Sequence, residues 1–145
     1  MNAPAPTKEA FESELIDAVA ACHHDPLLFS ETMFPWKEAG TLLEHHAGPD
    51  VWQRQFLIDL GIEVKRNAFD GHTPVMPILR AVSKGHGVGG SVLIAWLVLW
   101  IMSTRPHAKI VVTANTVTQL ETKTWATLMR WVRLCTCGHW FVINS

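Results

Sequence analysis

The run Ser83-Lys84-Gly85-His86-Gly87-Val88-Gly89-Gly90-Ser91 has the residue types and the spacing to hold an anion. Four glycines in six residues let successive backbone N–H groups turn toward one point, and a helix starting just beyond adds the partial positive charge of its N-terminus. Each glycine costs backbone entropy that an ordinary turn would avoid. The chemistry that fits is phosphate binding. The usual P-loop reads G-x-x-x-x-G-K-[ST], with the lysine on the β- and γ-phosphates and the hydroxyl on Mg²⁺. Here Gly89 and Ser91 match, Gly90 stands at the lysine position and Lys84 at the first glycine position. Lysine is a point charge on a flexible four-carbon stem, so Lys84 can fold over the oxygens that a lysine at the loop's end would reach. The alternative is a glycine-rich turn with a solvated lysine and no nucleotide.

The elements that must position this loop follow from periodicity. Lys8 to Cys22 reads as a helix with Phe11, Leu15, Ala18, Val19 and Cys22 at helical spacing, and Leu27 to Met33 as a second, short one after Asp25-Pro26. Lys37 to Gly48 reads as loop. Gly48-Pro49-Asp50 is a helix start, Trp52, Phe56 and Leu60 form the expected apolar stripe, and Gly61 is the expected stop. That stripe leaves Gln53, Arg54 and Gln55 on the polar side. Met76 to Val82 reads as a buried strand feeding the glycine loop, Val92 to Met102 as a buried helix, and Lys109 to Ala114 as a second apolar strand. Thr116 and Gln119 fit a capping box for a helix carrying Leu120, Trp125, Leu128, Met129, Trp131 and Val132. Strand, loop, helix, strand, helix is a right-handed βαβ unit. The expectation is therefore an α/β fold with helices at the N-terminus.

Composition narrows the function classes. At 145 residues the chain is at most one domain, large enough for a real core. A net charge of −1 gives no global basic field for nucleic acid or a membrane surface. The apolar run 92–102 is shorter than the ~20 residues of a membrane span. Seven tryptophans without a tyrosine suit core and interface packing. Three cysteines, an odd number with no signal peptide, point to a reducing compartment. Cys135-Thr136-Cys137-Gly138-His139 offers half of a zinc site, but Cys22 with His23 and His24 makes a poor second half, which leaves incidental thiols as the simpler reading.

The order of motifs resembles the N-terminal part of the large terminase subunit of tailed bacteriophages, the ATP-driven DNA-packaging motor. The likeness runs from about residue 27 to 141 through Phe34-Pro35-Trp36, Gly48-Pro49-Asp50-x-Trp52-Gln53, Lys84 to Ser91, and Val111-Val112-Thr113-Ala114-x-Thr116-x-x-Gln119-Leu120 with Trp125 and Trp131. Most members carry the usual lysine where Gly90 stands, and others place it at the loop's start, where Lys84 lies. Some also carry an arginine in the loop roughly at His86. The resemblance implies an incomplete P-loop ATPase domain with a RecA-like core over residues 27–145, preceded by a helical lead over 1–26. It implies ATP and Mg²⁺ on Lys84, Gly85, His86, Gly87, Val88, Gly89, Gly90 and Ser91, with Ser91 on the metal and Gln53 reading adenine. A solvated helix glutamine is the other reading of Gln53. Thr113, Ala114, Thr116 and Gln119 match a segment that contacts or couples to DNA, although a strand end and a helix cap also explain Thr116 and Gln119.

By the same resemblance the partners are duplex DNA, the small terminase subunit, the portal and further copies in a ring, in the host cytoplasm and without a membrane. No apolar strand ending in Asp or Glu follows Ala114, so the acid that holds Mg²⁺, the catalytic glutamate and the nuclease domain of the family are expected to be missing. The expectation is the ATP-binding piece of a motor, inactive alone. A fragment of another RecA-like NTPase or helicase, and a non-catalytic degenerate remnant, are the alternatives.

Overall fold

The computed structural model describes residues 7–68, 72–85 and 87–144. Thr7 accepts a hydrogen bond from the Ala10 N–H and starts α1 (Lys8–Ala21). Asp25 does the same for Leu28 at 2.9 Å, with Pro26 at the first helical position, and starts α2 (Pro26–Thr32). Turns over 35–46 lead to α3 (Val51–Asn67), and the glycine loop leads to α4 (Gly90–Thr104). Thr116 caps α5 (Val117–Gln119), which passes through a π-helical turn (Leu120–Trp125) into α6 (Ala126–Leu134). A 3₁₀ turn follows at Gly138–Trp140.

A helix as apolar as α4 has to be covered on most of its faces, and this decides the architecture. α4 packs on α1, α2 and α6, and α2 packs on α3. Leu93, Ala95, Trp96, Leu99 and Trp100 of α4 are buried with Leu15, Val19 and Cys22 of α1, Phe29 of α2, Leu57 and Val64 of α3, and Trp131 and Val132 of α6. The helical lead therefore shares one core with the rest. Four aromatic rings close its upper end. Trp131 meets Trp96 edge-on at 5.1 Å between centroids and Phe34 at 4.8 Å, and Trp36 meets Trp96 at 5.9 Å. Perpendicular contacts of this kind suit the ring quadrupoles. Trp36 donates its indole N–H to Ser30 O and Trp100 donates to Cys22 O, each at 2.7 Å.

The expected α/β fold is not what forms. The described residues contain no strand and no sheet, so there is no βαβ unit and no RecA-like core. The two segments expected as strands, Met76–Val82 and Lys109–Ala114, run without ladder pairing. Leu79 is 86% exposed and Val111 87% exposed, whereas a parallel strand is covered on both faces. Strand propensity records fit to a pleated, half-buried surface, and these residues meet helices on one side only. Residues 74–78 face α3 and α4 across a groove, and Ala108, Ile110 and Val112 face α4 and α6 across another.

The helices were more legible, with one shift of face. α3 does not stop at Gly61. It runs on to Asn67 and ends on Ala68 at φ +49°. Its buried stripe is Gln53, Leu57, Gly61 and Val64, one position on from Trp52, Phe56 and Leu60, which are half-buried. Gly61 is a crossing point: a Cβ there would lie 3.3 Å from Pro26 Cδ, so α2 starts close against α3 because that side chain is missing.

Candidate functional site

The glycine loop forms at the mouth of α4, held there by the first turn of α3. Gly87 (φ +77°) and Gly89 (φ +82°) adopt the left-handed backbone that favours glycine. Trp52 donates its indole N–H to Val88 O at 3.1 Å. Gln53 donates Nε2–H to Gly89 O at 3.0 Å, while its Oε1 accepts the Asp50 N–H at 2.9 Å. Two consecutive loop carbonyls are thus fixed by two consecutive α3 side chains. Gly89 is tight against this brace, since a Cβ would lie 2.7 Å from Gln53 Nε2.

Gly90 is the buried first residue of α4, and no side chain caps that end. The stem of Lys84 crosses directly over it. A Cβ at Gly90 would lie 2.6 Å from both Cδ and Nζ of Lys84. The missing side chain at the usual lysine position is therefore what admits the displaced lysine, and its ammonium rests at the positive end of the α4 dipole. The two features put positive potential at one exposed point. Ser91, half-buried, follows as the second helical residue. Gly85 is exposed with open space where a side chain would be, and Val88 is exposed. His86 lies outside the described residues.

A cleft of about 550 Å³ opens beside Gly89, with Trp36, Leu42 and Trp131 on its apolar side and His46, Asp50 and Arg130 on its polar side. Gln53 also borders it, yet is 4% exposed with both ends of its carboxamide on backbone groups. The geometry makes it a strut for the loop. The signal was present in the sequence, because Asp50-x-x-Gln53 is a capping-box spacing, but nothing there said that the amide's other end would reach residue 89. The sequence carries no signal that Trp52 reaches the loop at Val88 O. Thr113, Ala114, Thr116 and Gln119 are exposed; Thr116 Oγ1 accepts the Gln119 N–H at 3.1 Å, a helix cap. Glu121 is exposed in the π-helical turn. Among the described residues no group of three or more His, Cys, Asp or Glu side chains could hold a metal ion, and no helix is long and apolar enough to cross a membrane. Comparison with family models, curated proteins and solved structures returned no match.

Proposed function

We propose that residues 84–91 bind the phosphates of a nucleoside triphosphate, ATP with Mg²⁺, and that the chain acts as the ATP-binding part of a DNA-packaging ATPase of the large-terminase kind. The observation that carries the reading is Lys84 laid across Gly90 at the uncapped start of α4. It answers how a loop without the usual lysine still presents a cation at an uncapped helix N-terminus. The site needs no sheet: the loop is positioned by α3 through Trp52 and Gln53. Lys84 and the N–H groups at the start of α4 would hold the phosphates, and the Ser91 hydroxyl would reach the metal that neutralises them. The cleft beside Gly89, with the Trp36 and Trp131 rings on its wall, has room for the base. Duplex DNA, a small terminase subunit, a portal and a ring of copies enter on the resemblance of motif order.

The test is equilibrium binding of a fluorescent ATP analogue to the whole chain. Lys84→Ala should weaken binding more than ~10-fold, as expected for loss of a charge-assisted contact worth ~1.5–3 kcal/mol. Gly90→Lys placed in the Lys84→Ala background, where the space is free, should restore part of it. Unchanged affinity in Lys84→Ala overturns the phosphate role of this lysine.

A further inference from the structure

Cys135 and Cys137 lie far along the chain from the glycine loop and take no part in phosphate binding. Their Sγ atoms are 3.4 Å apart, both side chains are buried, and Cys137 Sγ also meets Ser103 Oγ of α4 at 3.5 Å. The local backbone holds them face to face. Between them, Thr136 donates both its N–H (2.9 Å) and its hydroxyl (3.1 Å) to Met33 O just past α2. Beyond them the Gly138 N–H closes a turn on Cys135 O at 2.8 Å, and a Cβ at Gly138 would collide with Val132 O. With the middle residue pinned and the turn closed, the two sulfurs have few other directions to point. A metal is not the explanation, since no third ligand of suitable type joins them among the described residues.

We propose that Cys135 and Cys137 are an oxidisable dithiol, closed reversibly to a disulfide by a hydroperoxide, while Cys22 stays a thiol. Beside the Cys135 thiol, Cys137 has a second hydrogen-bonding neighbour, the Ser103 hydroxyl at 3.5 Å, that Cys135 lacks, and the two contacts together favour the thiolate at Cys137 and leave Cys135 as the resolving thiol. The Cys137 thiolate attacks hydrogen peroxide, breaking the O–O bond to give a sulfenic acid and hydroxide. The Cys135 sulfur then attacks the Cys137 sulfur; the S–O bond breaks, hydroxide leaves, and the proton of Cys135 completes it to water. Two thiols and one peroxide become one disulfide and two waters. Closure brings the sulfurs from 3.4 Å to about 2.05 Å and draws Cys137 Sγ off Ser103, loosening a tie between α4 and the turn that follows α6. Cys22 is as deeply buried as Cys137, but its thiol donates to Ala18 O at 3.3 Å and meets Thr32 Oγ1 at 3.9 Å instead of facing a second thiol.

The experiment treats the folded whole chain with hydrogen peroxide, blocks remaining thiols with iodoacetamide under denaturing conditions, and reads intact mass and peptide maps. The expected result is loss of two hydrogens, a Cys135–Cys137 link that dithiothreitol reverses, and alkylation confined to Cys22. In Cys135→Ser, peroxide should leave a Cys137 sulfenic acid that dimedone traps. Alkylation of all three cysteines, a link to Cys22, or a disulfide that forms only in urea would overturn the proposal. These readouts do not involve nucleotide, so they stand or fall separately from the phosphate site.

Discussion

Gln53→Ala removes two hydrogen bonds, one that ties α3 to the glycine loop at Gly89 O and one that closes the start of α3 on the Asp50 N–H. The side chain is 4% exposed, so water does not replace it readily. Gly89 O keeps the Leu93 N–H at 3.1 Å, but the Asp50 N–H loses the acceptor it has at 2.9 Å. Two hydrogen bonds at ~1 kcal/mol each, with part of a desolvation penalty for the orphaned N–H, come to ~2–3 kcal/mol of folding stability. For a chain of this size that is ~5–10 °C in Tm. Gln53→Glu is the sharper variant. It keeps an oxygen for the Asp50 N–H but sets the other against Gly89 O, so it should lose the loop contact while retaining the helix start. Urea unfolding and nucleotide titration check both. A bracing role predicts that ATP and GTP affinities fall together in each variant, because the phosphate-binding backbone is what relaxes. If instead stability changes by less than ~0.5 kcal/mol and the preference for ATP over GTP collapses, Gln53 reads the base and the bracing argument fails.

Gly90→Ala should separate stability from binding: alanine is the better helix former by up to ~1 kcal/mol, yet its methyl takes the place of the Lys84 stem, so urea resistance should hold or rise while ATP affinity drops. Equal affinity in that variant would show that Lys84 need not lie over Gly90. Trp131→Ala empties the meeting point of Phe34, Trp36 and Trp96 and should cost ~3–5 kcal/mol in urea unfolding. Glu12 accepts from Trp140 Nε1 and pairs with His139, and the Trp140 hydrogen bond foremost holds its carboxyl below the usual range. A lowered folded value means the stabilisation is present above the unfolded carboxyl pKa and is lost as pH falls through the folded one. The urea midpoint of the wild type should therefore drop further than that of Glu12→Gln on going from about pH 6 to about pH 3. Parallel curves would remove this clamp from the account.

Local structure follows local chemistry here. Thr7, Asp25-Pro26 and Thr116 start helices where capping oxygens and a proline dictate, and most of the apolar run 92–102 is covered, Ile94 and Met102 excepted, because a helix without a polar face has no solvated orientation. Lys84 and the glycines of the loop were legible for the same reason: only glycine takes φ +77° and +82° without strain, and only a long flexible cation can reach back to a helix start. What the sequence alone could not decide was who pairs with whom. A strand exists only through its neighbour, and the β-branched residues of 109–114 look the same whether they meet another strand or the side of α4. The face of α3 turned on one residue, because Gly61 had to meet Pro26, a contact between positions 35 apart that no helical period encodes. The partner of the Gln53 amide was decided the same way, by a carbonyl 36 residues along the chain that the helix start reaches. Periodicity and capping act within a few residues, so the sequence determined them; pairing, helix rotation and the partner of a buried amide depend on distant segments, so tertiary packing decided those.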